Sequence, residues 1–100
     1  MSTRRLAAIL AADVVGFSSM MEKDEEGTAA AIRNLRKEVV EPALSRHAGR
    51  LVKTTGDGFL AEFASPVEAV RSALAIQDAL SVGENGMRLR VGCQSRRHHH

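Results

Sequence analysis

The chain has 100 residues, of which 44% are hydrophobic and 26% are charged, so it supports one small domain with a single core. Its only aromatic residues are three phenylalanines, and the core must therefore be mostly aliphatic. The net charge of +2 comes without a basic cluster interleaved with aromatic side chains, which argues against nucleic-acid binding. No apolar run approaches the roughly 18 residues of a membrane span, so the sequence predicts no membrane segment.

The cysteine content favours a reducing compartment. Cys93 is the only cysteine and cannot form an internal disulfide, which predicts a cytoplasmic protein. Residues 93–100 show no apolar period and end in histidines. We interpret them as a cloning-derived or frame-altered tail, and assign the domain to residues 1–92.

The first predicted element is a strand. Leu6-Ala-Ala-Ile-Leu-Ala-Ala12 is a continuous apolar run, which predicts a strand buried on both faces, although periodicity alone leaves a helix open. Asp13 follows the run directly, and Gly16 then breaks the pattern.

A long helix is predicted from about Glu25 to His47. Pro42 lies inside this stretch and must kink or split the helix, because it lacks an N–H group and clashes with the preceding turn. Gly49 is the expected stop. The apolar residues fall on one stripe: Ile32, Leu35, Val39, Val40, Ala43 and Leu44.

A hairpin follows. Arg50–Thr55 and Phe59–Phe63 are predicted strands, joined by Gly56-Asp57-Gly58, whose glycines suit a tight turn with positive φ.

The second long helix has a clear start. Ser65 is the predicted N-cap, Pro66 the first helical residue, and Glu68 the partner that completes a capping box. The helix runs to about Leu80, and its predicted buried face consists of Val67, Val70, Ala73, Leu74, Gln77 and Leu80. After a loop, Met87–Cys93 alternates apolar and basic residues and predicts a half-exposed strand.

The element order βαββαβ predicts an α+β fold of the ferredoxin-like type, an antiparallel sheet with two helices packed on one face. In that topology the first strand lies beside the hairpin, so Asp13 and Asp57 come together. Two carboxylates at neighbouring strand ends can share hard metal ions that also bind phosphate oxygens. The alternative is that Asp13 caps a turn and Asp57 is an ordinary hairpin aspartate.

Two motifs carry a family resemblance. Asp13-Val-Val-Gly-Phe-Ser18 and Lys53-Thr-Thr-Gly-Asp-Gly58, with a helix between them that ends near His47-Ala-Gly-Arg50, resemble the catalytic domain of class III adenylate/guanylate cyclases. The resemblance runs from about Arg5 to Gly92. It covers most of this chain but only about the first half, the N-terminal half, of a complete family domain.

The resemblance implies a nucleotidyl cyclase that converts ATP to 3′,5′-cyclic AMP and pyrophosphate with two Mg²⁺ or Mn²⁺ ions. Asp13, Asp57 and the backbone carbonyl of Val14 would be the metal ligands. The stretch Gly16, Phe17 and Ser18 would cradle the triphosphate.

The resemblance also implies a head-to-tail homodimer. Lys53 would reach the purine of ATP bound mainly by the partner subunit, and a lysine there suits adenine rather than guanine. The family pattern continues past Gly92 with an Asn and an Arg that stabilise the transition state. Because this chain diverges at Cys93, we expect it to have little or no activity by itself.

Two other classes of function compete with this one. A degenerate cyclase-like module used for nucleotide binding or dimerisation is the main alternative, although retention of Asp13 and Asp57 argues against degeneration. A polymerase-palm or diguanylate-cyclase relative would share the core and the metal chemistry, but the sequence has no Gly-Gly-Asp/Glu-Glu-Phe hairpin.

Overall fold

The computed structural model describes residues 5–82 and 87–98. That part of the chain forms four strands, four α-helices and one π-helical turn. In chain order they are β1 (Arg5–Val14), α1 (Phe17–Lys23), α2 (Glu25–Leu35), the π turn (Arg36–Val40), α3 (Glu41–Arg46), β2 (Gly49–Thr54), β3 (Gly58–Phe63), α4 (Pro66–Val82) and β4 (Leu89–His98).

The strands form one antiparallel sheet in the order β2-β3-β1-β4. This is the strand order of the ferredoxin-like fold, and the α+β prediction is confirmed. β1 is a central strand, paired with β3 on one side and with β4 on the other. The core lies between one face of the sheet and the helices, and it is largely aliphatic apart from Phe59 and Phe63.

Only one face of β1 is buried, which corrects the prediction of a strand buried on both faces. Ala8, Leu10 and Ala12 point into the core, whereas Ala11 is exposed and Asp13 is half-buried. The continuous apolar run hid this alternation, because its outward positions are also apolar. The helices cover one face, and the described residues leave the other face open.

A short helix that the sequence did not predict precedes the long one. α1 ends where Asp24 adopts an extended conformation, with φ −160° and ψ 90°. The Asp24 carboxylate then accepts a hydrogen bond from the Gly27 N–H group at 2.9 Å and caps α2. One aspartate therefore ends α1 and begins α2.

Pro42 is accommodated by widening the helix. The Glu41 N–H group donates to the Arg36 carbonyl, five residues back, and Pro42 then lies in the first turn of α3. A π turn supplies the room that the proline ring needs, so the helical path continues from α2 into α3. The predicted apolar stripe is confirmed, with Val39 half-buried and the other five residues buried.

The helical segment ends one residue earlier than predicted. Ala48, with φ 57°, takes the left-handed position that was expected of Gly49. His47 lies at the end of α3, and its Nδ1 atom is 2.9 Å from Oε1 of Glu68. This contact ties α3 to α4.

The start of α4 is confirmed in part. The Glu68 N–H group donates to Oγ of Ser65 at 3.4 Å, as expected of an N-cap. The second half of the predicted capping box differs, because the Glu68 carboxylate contacts His47 and Arg71, at 2.9 and 3.6 Å.

The predicted buried face of α4 is wrong for Val67, Val70 and Leu74, whereas Ala73 and Leu80 are buried as predicted and Gln77 is half-buried. Val67, Val70 and Leu74 are exposed by 57%, 47% and 64%. Over the first half of α4 small residues face the sheet and let the helix approach it closely, and the large residues of the neighbouring stripe remain in solvent. The buried residues are Ala69, Ser72, Ala73, Ile76 and Leu80.

The last strand is longer than predicted. β4 pairs with β1 from Val14↔Leu89 to Arg5↔His98, so it continues past the expected end at Cys93. The residues before that point alternate as predicted, with Leu89 buried and Arg90 exposed. The origin of residues 93–100 stays a prediction.

The corrected face of α4 can be tested by paired truncations. Ile76→Ala should lower the free energy of unfolding by about 2–5 kcal/mol, because it opens a cavity in the core. Leu74→Ala should change it by less than about 0.5 kcal/mol, because that side chain is already in solvent. Urea denaturation followed by circular dichroism measures both, and a larger loss for Leu74→Ala would support the face predicted from the sequence.

Candidate functional site

Asp13 lies near the end of the central strand β1, between two partners. Its Cα atom is in register with Gly58 of β3 and with Arg90 of β4. Since Ala12 and Val14 point into the core, strand alternation turns Asp13 toward the open face of the sheet.

The hairpin that carries Asp57 is attached to this strand end by backbone hydrogen bonds. The Val14 N–H group donates to the Asp57 carbonyl at 2.8 Å. Within the hairpin, the Thr55 N–H group donates to the Gly58 carbonyl at 2.9 Å. The two sequence motifs are therefore adjacent at the level of the backbone, as the strand order predicted.

Gly58 is needed for a different reason than the sequence suggested. Among the described residues, Gly16 is the only glycine with positive φ, so the expectation of positive φ at Gly56 and Gly58 is wrong. A Cβ atom on Gly58 would instead collide with the backbone oxygen of Ala12. The glycine allows the hairpin to lie directly against β1.

A groove of about 480 Å³ crosses the open face of the sheet. Asp13, Lys53 and Arg90 all line it. Asp57 instead borders a neighbouring cavity of about 10 Å³, close to the volume that admits one water molecule. The structure thus brings Asp13 and Lys53 to one groove. Asp57 does not line that groove; it borders the small cavity beside the core residues Ile32 and Leu35, and it is joined to β1 through the backbone.

The predicted phosphate loop follows β1. Gly16 has φ 74°, a left-handed conformation that suits glycine, and it precedes the first residue of α1. Phe17 packs partly against the core, and Ser18 is exposed. A Cβ atom on Gly56 would lie 3.6 Å from the Phe17 ring, so this loop lies beside the tip of the hairpin.

Two arginines at the site were not identified from the sequence. Arg90 donates from Nε to Oδ1 of Asp13 at 3.1 Å, with side chains exposed by 74% and 43%. Arg36, from the π turn, donates from Nη2 to the Thr55 carbonyl at 3.2 Å. The alternation of β4 could have pointed to Arg90, but only the strand register pairs it with Asp13. No local signal marks Arg36.

The donor groups at this strand end fit a hard divalent cation. Asp13, Asp57 and the Val14 carbonyl offer oxygen atoms alone, which Mg²⁺ and Mn²⁺ prefer. Among the described residues, no group of three or more His, Cys, Asp or Glu side chains is arranged so that it could hold a metal ion.

Comparison with known proteins gives the following relatives. No family model matches the chain. It is 50% identical over 84 residues to a Rhizobium meliloti (strain 1021) protein named "Putative adenylate cyclase 3", and the match covers 84% of this chain and 14% of that protein. The crystal structure of an adenylate/guanylate cyclase/hydrolase from Silicibacter pomeroyi is 37% identical, with a TM-score of 0.80. That match covers 97% of this chain and 60% of the other.

A more distant structure supports the fold alone. The guanylate cyclase domain of RhGC from Catenaria anguillulae, crystallised in complex with GTP, is 17% identical with a TM-score of 0.82. The match covers 95% of this chain and 59% of that domain.

These relatives agree with the resemblance found in the sequence. The resemblance to class III adenylate/guanylate cyclase catalytic domains is confirmed, and this chain is a relative of those domains. It spans 14% of the length of the Rhizobium protein and 60% of the Silicibacter structure. In the part of the chain that the structure describes, no helix has both the length and the hydropathy to cross a membrane.

The close approach at Gly58 can be tested against a second strand glycine. Gly58→Ala should lower the free energy of unfolding by about 1–3 kcal/mol, because the new methyl group pushes the hairpin away from β1. A methyl group on Gly92 would meet no atom within 4 Å, so Gly92→Ala should be neutral or stabilise by up to about 1 kcal/mol. Thermal unfolding of both variants measures the difference, and equal stability would contradict the collision.

Proposed function

We propose that this chain is the metal- and triphosphate-binding part of a nucleotidyl cyclase domain, which converts ATP to 3′,5′-cyclic AMP and pyrophosphate in signal transduction. The observation that carries the proposal is the 2.8 Å hydrogen bond from the Val14 N–H group to the Asp57 carbonyl. It joins the two aspartate motifs at one end of the sheet, beside a groove that could admit a nucleotide.

The proposed ligands of two Mg²⁺ or Mn²⁺ ions are the Asp13 and Asp57 carboxylates and the Val14 carbonyl. When bound, such ions activate the attacking hydroxyl group and neutralise the triphosphate. The backbone contact supports this assignment, because it fixes Val14 and Asp57 together. A rotation of the Asp57 side chain toward the groove is the movement that the proposal requires.

The triphosphate is assigned to the loop Gly16, Phe17 and Ser18. The first intrahelical bond of α1 is from the Met20 N–H group to the Gly16 carbonyl, at 3.1 Å. The N–H groups of Phe17 and Ser18 therefore have no acceptor within the helix and are available to phosphate oxygens. Proximity of Gly56 to Phe17 supports a single site formed by this loop and the hairpin.

The open face of the sheet supports a head-to-tail homodimer. Ala11 and Leu60 are opposite each other on that face and both are exposed, as is Lys53. In such a dimer Lys53 of one subunit would reach the purine held by the other, and its ammonium group would donate to an acceptor on adenine. A cytoplasmic location accords with the single exposed cysteine, Cys93.

Metal and nucleotide binding by this chain test the assignment of Asp57. Isothermal titration with Mn²⁺ and a non-hydrolysable ATP analogue should show saturable binding by the wild-type chain. Asp57→Asn should weaken it by at least about tenfold, because one charged ligand is lost. The matched control is Asp78→Asn on the exposed side of α4, which should bind as the wild type does. Equal binding by Asp57→Asn and the wild type would contradict the proposal.

Activity is predicted to require more of the domain. These 100 residues, expressed by themselves, should convert ATP to cyclic AMP at no more than a trace rate, because they match 60% of the length of the Silicibacter cyclase structure and transition-state stabilisation needs groups from the whole site. A chain extended through a complete cyclase domain should be active and should prefer ATP over GTP. In that extended chain, Lys53→Glu should shift the preference toward GTP.

A cyclic-nucleotide immunoassay on both chains decides between the two classes of function. Full activity of the short chain would show that the catalytic groups are misplaced. An inactive extended chain that still binds nucleotide would favour the alternative, a non-catalytic cyclase-like module for nucleotide binding or dimerisation.

A further inference from the structure

The Asp13 carboxylate already has a cationic partner within the chain. Nε of Arg90 is 3.1 Å from Oδ1 of Asp13, on the open face of the sheet. The pair joins β1 to β4 at positions that are directly opposite in the strand register. A residue assigned to hold a divalent cation is thus neutralised by a guanidinium group.

The pair is built in a way that allows it to open. The Arg90 side chain is 74% exposed, and the contact uses Nε, which carries one of the five N–H donors of a guanidinium group. An exposed ion pair of this kind contributes little to stability, typically below about 1 kcal/mol. Its loss would therefore cost the fold little, and the side chain can move without disturbing β4.

The neighbouring groups define where the guanidinium could move. Arg90, Asp13 and Lys53 line the same groove, and no helix among the described residues covers it. Guanidinium groups bind phosphate oxygens through two parallel hydrogen bonds, which makes a triphosphate in this groove a stronger partner than one carboxylate oxygen.

We propose that Arg90 is an exchangeable counter-ion of the site: it holds the Asp13 carboxylate when no cation is bound, and transfers to a nucleotide phosphate when a divalent cation and nucleotide enter. This inference rests on the proposed function. Arg90 would then have opposite effects on two affinities. Its charge would weaken the binding of a cation at Asp13 and strengthen the binding of the anionic nucleotide.

Because the effects on the two affinities have opposite signs, binding measurements alone can test the proposal. Arg90→Gln should bind Mn²⁺ alone about three- to tenfold more tightly than the wild type, because a competing positive charge is gone. The same variant should bind the Mn²⁺ complex of a non-hydrolysable ATP analogue about tenfold more weakly, because a phosphate contact is lost. Isothermal titration measures both affinities on the whole chain.

Two further variants separate this role from a structural one. Arg90→Lys keeps the charge but not the paired donors, so Mn²⁺ affinity should stay near that of the wild type and nucleotide affinity should fall about threefold. Arg46→Gln, at an exposed position in the last turn of α3, removes the same charge elsewhere and should change neither affinity. A purely structural Arg90 would give Arg90→Gln a lower melting temperature and a loss in both affinities.

The outcomes distinguish this inference from the proposed function. If the wild type binds Mn²⁺ and Asp13→Asn does not, but Arg90→Gln matches the wild type in both titrations, the counter-ion role is overturned and the metal site stands. If Arg90→Gln loses affinity for Mn²⁺ alone, the role is also overturned. If the wild type shows no saturable Mn²⁺ binding, the proposed function and this inference fall together.

Discussion

The register of β1 is the constraint on which the rest of this structure depends. β1 is bonded on both sides, and its alignment sets Asp13 opposite Gly58 in one neighbour and opposite Arg90 in the other. A slip of one residue would turn Asp13 into the core and expose the buried alanines and leucine. The aliphatic core therefore selects the register, and the register then fixes which charged groups meet on the open face. Packing on one side of the sheet determines the chemistry available on the other.

The hairpin depends on a second set of contacts, which reach it from the helical layer. Pro42 forces the π turn, and Arg36, at the start of that turn, donates to the Thr55 carbonyl. On the other side, Gly58 lies against β1 so closely that no side chain fits. Two contacts therefore hold the segment that carries Asp57. The long side chain of Arg36 binds its backbone from the helical layer, and Gly58, which has no side chain, lets it pack directly against β1. π turns often occur at functional sites, and this one brings a guanidinium group to the hairpin.

Much of the fold was predictable because it depends on local patterns. Strand order followed from the sequence of elements, and the stripe from Ile32 to Leu44 followed from helical period. The face of α4 was not predictable from hydrophobicity, since Val67 and Leu74 are larger than Ala69 and Ala73 but the sheet requires a close approach. Nor was Arg90, whose partner is 77 positions away in sequence and is chosen by the β1–β4 register. The local hydrophobic period predicts helices and strands, whereas pairing between distant strands decides which polar groups come into contact.

The open face carries apolar and charged side chains next to each other. Ala11 and Leu60 are apolar and exposed, beside the charged Asp13, Lys53 and Arg90. Burying this face against a protein surface would strengthen the Coulomb attraction between Asp13 and Arg90, but it would also remove both charged groups from water, which costs free energy. An anionic ligand in the groove would then have to supply the interactions that the pair loses, and a metal-bound triphosphate has enough charge to do so. If a partner covers this face, the apolar residues and the ion pair are buried together. The charged site would then favour a ligand that carries both a cation and phosphates.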